Sequence, residues 1–276
     1  MEYYKIALKD HFTFLGEGGK NPILEAFLPY NLAEMGRQDE LRPCLLICPG
    51  GGYAMCSERE AEPIALKFLE LGMNVFILTY STQPHRFPTQ LREVAAVMEL
   101  IYQNAAVWHC DTHRIAIMGF SAGGHLAAHY STMFDCAEVR AQFPESKGVN
   151  ASLLCYPVIT ADSNFGHQGS FLNLLGHEPS DAEVDYFSCD RNVNATTPPA
   201  FIWHTAEDAC VPVENSLLYA AACSKHKVPF ELHVYPNGAH GLSTCDHMTN
   251  TPSPTTEYVH QWLDAAKKWL KLTFKF

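Results

Sequence analysis

The residues with the clearest capacity for chemistry lie in Gly119-Phe120-Ser121-Ala122-Gly123. An apolar, β-branched run, Arg114-Ile115-Ala116-Ile117-Met118, leads into this stretch, and a helix-like run from His125 to Tyr130 leads out of it. A serine at the apex of a strand-to-helix turn has its hydroxyl pushed out at a helix N-terminus, where free N–H groups favour negative charge. The turn brings its neighbours together, so very small residues must flank the serine. Serine is a weak nucleophile at neutral pH. It needs a base to take its proton and an acid to hold the base in one tautomer. The candidate base is His240, in Pro236-Asn237-Gly238-Ala239-His240-Gly241, a loop that follows an apolar strand and has the composition to present one side chain. His247 is its rival, without a preceding strand. The candidate acid is Asp208, just past a strand ending at His204, with Glu207 next door as the alternative. Each has a plainer reading, since loop carboxylates and Gly/Ser pairs are ordinary turn formers.

A glycine run, Pro49-Gly50-Gly51-Gly52-Tyr53, follows the apolar segment Pro43–Cys48. Acyl transfer develops an oxyanion, which needs preorganised amides. Gly51 and Gly52, with Ala122 after the serine, are the candidate donors. Phosphate binding is the other use of such a loop, but neither G-K-[ST] nor G-x-G-x-x-G spacing is present. His125 and His129 stand four apart on the serine helix, a spacing that suits metal ligands. No third ligand accompanies them, and no metal or cofactor is expected. Tyr53 is the candidate substrate contact. Tyr80, Phe165 and Phe171 are further aromatic candidates for lining a sugar site, with core packing as their plainer role.

The elements that must position these groups follow from periodicity. Alternation at Tyr4, Ile6 and Leu8 and the run Ile23–Leu28 predict two early strands. The continuous apolar run at 43–48 reads as a strand buried on both faces, as in parallel sheets, and further strands are expected at 74–80, 114–118, 151–156, 200–204 and 230–235. Helices are expected at Ser57–Leu71, with Ser57 and Glu60 as a capping box, and at Thr89–His109, from about Glu214 to His226, and at Thr255–Leu272. Residues 157–197 break the rhythm with polar turns and scattered aromatics, and read as a lid-like insertion near the strand ends. Strands alternating with helices predict an α/β fold: a mostly parallel central sheet with helices on both faces, in one domain over 1–276.

The chain carries 19 basic against 30 acidic residues, a formal net charge of −11, which disfavours nucleic acid and anionic membranes as partners. The last helix combines Lys267, Lys268, Lys271 and Lys275 with Trp262 and Trp269. A membrane-surface role is conceivable for it, but packing on the sheet is the simpler reading of its amphipathic pattern. No window approaches a membrane span, and the N-terminal residues lack a signal-peptide pattern. Ten cysteines without a C-x-x-C, several inside apolar runs, fit reduced core thiols in a cytoplasmic protein.

Several stretches together resemble the α/β-hydrolase superfamily. The closer likeness is to hormone-sensitive-lipase-like esterases and bacterial carbohydrate acetylesterases of the acetyl-xylan esterase type. The carriers are Cys48–Tyr53, Asp111–Ala127 through the serine turn, Asp208 with Val211-Pro212, and Gly238–Leu242, and the likeness spans about residues 40–275. In that superfamily the acid and the histidine follow the serine in the chain, as here. The resemblance implies Ser121 as nucleophile, Asp208 as acid and His240 as base, with the amides of Gly51, Gly52 and Ala122 as oxyanion hole. It further implies hydrolysis of short acyl esters, acetyl esters of sugars or xylo-oligosaccharides among them. Pro49 stands where the usual H-G-G-G has its histidine, so which glycine amide points inward stays open. The alternatives are a serine peptidase or lipase on the same fold, or a non-catalytic binding protein. A small-molecule ester is the expected partner, with a homodimer through an exposed edge strand as a further possibility.

Overall fold

The apolar runs of the sequence assemble into one eight-stranded sheet in a computed structural model that describes residues 1–19 and 21–276. The strands are β1 (Glu2–Ala7), β2 (Ile23–Leu28), β3 (Arg42–Cys48), β4 (Asn74–Thr79), β5 (Cys110–Phe120), β6 (Ala151–Cys155), β7 (Ala200–Thr205) and β8 (Phe230–Tyr235). Their order across the sheet is β1-β2-β4-β3-β5-β6-β7-β8. β1 and β2 pair antiparallel, as do β2 and β4, and every pairing from β4 to β8 is parallel. The middle strands β3, β5, β6 and β7 are buried almost throughout, as unalternating apolar sequence requires.

Helices cover both faces. One face carries α2 (Thr89–Gln103) and α3 (Ser121–Met133), whose Leu91, Val94, Met98 and Leu126 belong to the same cluster as Leu46 and Ile117 of the sheet. The other carries α1 (Glu62–Leu69) and α8 (Gln261–Phe274), whose Phe68, Trp262 and Leu270 pack with Ile47, Met118 and Trp203. The lysine-bearing C-terminal helix therefore buries both its tryptophans against the sheet. Between β6 and β7 lie α4 (Gln168–Leu175) and α5 (Asp181–Phe187). α6 (Glu214–His226) and α7 (Pro254–Val259) complete the longer helices.

Three helical expectations change in outline. The stretch from Ser57 to Leu71 is not one capped helix. It is a single 3₁₀ turn at Glu58–Glu60 followed by α1, which starts on Glu62 with Pro63 in its first turn. Ser57 makes no side-chain cap, because Glu60 is turned inward and bonds the Gly50 amide instead. The helix from Thr89 ends at Gln103, where Asn104 leaves helical geometry. The last helix divides at His260, and Ser253 with Thr256 caps its first part.

The serine turn depends on contact at its two glycines. A methyl group added to Gly119 would run into the Gly123 carbonyl and sit 2.8 Å from Ala127 Cβ. One added to Gly123 would run into the carbonyls of Cys48 and Pro49 at the end of β3. Gly123→Ala should therefore destabilise the fold by about 1–3 kcal/mol, the usual range for overpacking. Urea unfolding reads this directly, and an unchanged midpoint would show that α3 is not pressed against β3.

Candidate active site

At the carboxyl ends of β5, β7 and β8 three loops bring together side chains far apart in the chain. Ser121 closes β5 and opens α3 with φ of +52°, a left-handed conformation rarely taken by a residue with a side chain. Its hydroxyl lies 2.8 Å from His240 Nε2. His240 Nδ1 lies 2.6 Å from Asp208 Oδ2. The other Asp208 oxygen accepts the amides of Cys210 and Val211, each at 2.9 Å. Burial pushes the Asp208 carboxyl up, but the donors from His204, His240 and Val211 outweigh it and hold the group well below the usual carboxylate range. An ionised carboxylate only accepts, so His240 Nδ1 carries the proton and Nε2 is left to accept from Ser121.

The alternatives considered for the acid and the base lie elsewhere. Glu207 faces outward and accepts Asn237 Nδ2 at 2.8 Å, so it braces the His240 loop from outside. His247 is exposed on the surface. His204, at the end of β7, is fully buried with Nε2 3.3 Å from Asp208 Oδ2. The same nitrogen donates to the Val211 carbonyl at 2.9 Å, while Nδ1 lies 2.7 Å from the Ser216 hydroxyl. The sequence carried one signal for this role: His204 stands four residues before Asp208, across the end of the strand.

The glycine loop passes beside Ser121. Gly50 is closest: a methyl there would lie 3.0 Å from Ser121 Cβ and 2.7 Å from the Phe120 carbonyl. Its amide is already bound to Glu60 Oε2 at 2.8 Å. Gly51 and Gly52 have φ of +127° and +64°. Among the described residues, the amides of Gly51, Gly52 and Ala122 donate to no protein acceptor. A methyl on Gly52 would meet only His167 Cε1, at 4.0 Å, so this glycine borders open space.

Tyr53 is not a wall of that space. It is 1% exposed, and its hydroxyl lies 2.8 Å from His125 Nδ1. Tyr80 and Phe171 are likewise buried, Tyr80 donating to the Pro49 carbonyl at 2.6 Å. All three rings belong to one buried apolar cluster, the packing role open to large aromatic side chains. Phe165 alone of the four is exposed. His125 binds the Phe187 carbonyl through Nε2, so both its nitrogens are engaged within the core, and burial lowers its pKa to about 4.

The segment 157–197 is fastened at several points. Asn173 Nδ2 donates to the Gly52 carbonyl at 2.9 Å, and the Phe87 amide donates to Leu174 at 2.9 Å. Asn215 accepts the Ile159 and Thr160 amides and donates to the Phe165 carbonyl. His167, just ahead of α4, has Cε1 4.0 Å from where a methyl on Gly52 would stand. Burial lowers its pKa, and the nearby His240 lowers it further.

A family model described as BD-FAE matches residues 32–222. The chain belongs to the BD-FAE family. Within reach of this family lie an endo-1,4-β-xylanase B of Butyrivibrio fibrisolvens, 39% identical over 80% of this chain, and an acetylxylan esterase of Xylanibacter ruminicola, 34% identical over 83%. The chain spans only 35% and 45% of those relatives' own lengths. Among solved structures, an acetyl ester-xyloside bifunctional hydrolase from Caldicellulosiruptor lactoaceticus superposes with a TM-score of 0.85. It is 34% identical, and the match covers 97% of this chain and 95% of that one. A carboxylesterase from Lactobacillus plantarum superposes at 0.84, with 28% identity, 98% of this chain and 97% of that one. The fold of this BD-FAE member is thus that of the α/β-hydrolases.

The depressed Asp208 carboxyl has a consequence for stability. A folded-state value below the unfolded one stabilises the protein above the unfolded value, about pH 4, and that contribution is lost as pH falls. Wild type should therefore exceed Asp208→Asn in stability at pH 7, with the gap narrowing from about pH 5 to pH 3. Denaturant midpoints across that range check it; a constant gap would contradict the ionised carboxylate.

Proposed function

We propose that this BD-FAE member is a serine carboxylesterase of short-chain acyl esters, acetyl esters of sugars or xylo-oligosaccharides foremost. The observation that carries the reading is the unbroken chain from Ser121 Oγ through His240 to the buried, ionised Asp208. In this reading Ser121 Oγ attacks the ester carbonyl as His240 Nε2 takes its proton, and Asp208 stabilises the imidazolium that forms. The carbonyl oxygen becomes an oxyanion held by the amides of Ala122 and of Gly51 and Gly52, which have no protein acceptor of their own among the described residues. Collapse of the tetrahedral intermediate breaks the ester C–O bond, and His240 gives its proton to the departing alkoxide. Water, deprotonated by His240, then attacks the acyl-enzyme, and the acid and free Ser121 are regenerated. The names of the relatives and solved structures supply the acetyl and xylan chemistry of the reading.

The segment 157–197 serves in this reading as a fixed wall over the alcohol side of the site, with His167 on its inner edge. Two further parts are inferred. The ten free cysteines, with thiols such as Cys155 pushed up by burial, support a reducing, cytoplasmic location. The edge strand β8, with Phe230 and Val234 exposed, supports pairing of two copies along that edge.

Hydrolysis of p-nitrophenyl acetate, butyrate and octanoate should fall steeply with chain length. Ser121→Ala should lower kcat on the acetate by about 10³-fold or more while the protein stays folded. Release of acetate from acetylated xylo-oligosaccharides tests the alcohol side. Acetate hydrolysis that survives in Ser121→Ala would overturn the assignment.

A further inference from the structure

One buried carboxylate at the site has no part in the reaction just described. Glu60 is 3% exposed and belongs to the short 3₁₀ turn before α1. Its Oε2 accepts the Gly50 amide at 2.8 Å, and its Oε1 accepts the Tyr156 hydroxyl at 2.6 Å. Tyr156 itself accepts the Ser243 amide at 3.0 Å, so its own proton is free to go to Glu60. Tyr156 sits at the end of β6 with φ of +36°, and its ring meets His240 edge-on, centroids 5.1 Å apart. Glu60 therefore joins three loops: the glycine loop through Gly50, the end of β6 through Tyr156, and the His240 loop through Ser243. It also occupies the space where a side chain on Gly50 would go, which explains why that position is glycine.

We propose that Glu60 is a positioning residue of the hydrolytic site, holding the glycine loop against Ser121 and placing a second negative charge behind His240. The inference rests on the esterase reading above and names a residue that reading leaves out. With Pro49 in the place of the histidine of H-G-G-G, the loop is anchored at the Gly50 amide by the Glu60 carboxylate. An uncompensated buried charge is costly, and here both oxygens are met by donors. Burial pushes the Glu60 carboxyl up, while Tyr156, the Gly50 amide, His240 and Arg59 favour its ionised form. The groups that face His240 are Asp208, Tyr156, Glu60 and His167. The Arg59 guanidinium lies beside Gly241, 3.4 Å from where a methyl there would stand. Asp208 and Glu60 are the two carboxyl groups among these, and a charge on Glu60 would favour the imidazolium as that on Asp208 does.

The deciding experiment is an NMR titration of the His240 ring in the full chain, as Ser121→Ala and as Ser121→Ala with Glu60→Gln. It needs no turnover, so it stands whether or not the esterase reading does. The expected result is a midpoint moved to lower pH by about 0.5–1 unit in the Gln variant. In the presence of Ser121, Glu60→Gln should lower kcat on p-nitrophenyl acetate about tenfold with KM within about twofold, and the acid limb of kcat/KM should shift the same way. A folded Gln variant whose His240 midpoint stays in place overturns the proposal, even if activity falls, because loosened packing alone would do that. Should the Gln variant fail to fold, Glu60→Asp decides. It keeps the charge but draws it back by one methylene from Gly50, so kcat should fall several-fold with the His240 midpoint moved by less than in full neutralisation. Wild-type kcat in Glu60→Asp overturns the proposal.

Discussion

The site depends on how closely the first turn of α3 is pressed beneath the end of β3. With no side chain at Gly123, the backbone of α3 comes to rest on the carbonyls of Cys48 and Pro49, and with none at Gly119 the strand can turn into the helix at once. That approach leaves Ser121 no ordinary conformation. It takes φ of +52°, at a cost of order 1–3 kcal/mol for a residue with a Cβ. The strain persists because its surroundings over-determine it: β5 pairs with β3 on one side and β6 on the other, and α3 is buried along nearly its whole length. The same approach sets the glycine loop beside the hydroxyl, since that loop is simply the continuation of β3.

Around this strained turn the polar groups are arranged by what they can accept. Asp208 takes two amides on one oxygen and imidazole donors on the other, so its charge is compensated without solvent. Glu60 repeats the pattern behind Tyr156, with an amide on one oxygen and a phenol on the other. His204 backs Asp208 as Tyr156 backs His240. A buried polar network of this kind is favourable only when every member is satisfied, and these members are.

Much of this was legible in the sequence, and where it was not the reasons are physical. The central strands announced themselves because burial on both faces demands unbroken apolar runs, as at β3 and β6. Ser121, Asp208 and His240 could be singled out because each follows such a run. Glu60 was hidden by its own plausibility: Ser57 with Glu60 three residues on is also the pattern of a helix cap, and only the tertiary pull of the Gly50 amide decides otherwise. Tyr53 misled for a related reason. A tyrosine after a glycine loop looks like a ligand contact, but its hydroxyl finds His125 in the core. The contact of His204 with Asp208 lay beyond the sequence because strand periodicity says which face a side chain takes, not which loop folds over it.

The way the 157–197 segment is tied down bears on whether it could move as a unit. To swing open as a flap it would have to give up the bonds from Asn173 to Gly52, from Phe87 to Leu174 and from Asn215 to Ile159, Thr160 and Phe165. At about 0.5–1.5 kcal/mol each, their joint loss would keep such an open form rare. One of them also holds the Gly52 carbonyl, so any opening would disturb the glycine loop itself. The segment is therefore a standing wall rather than a flap.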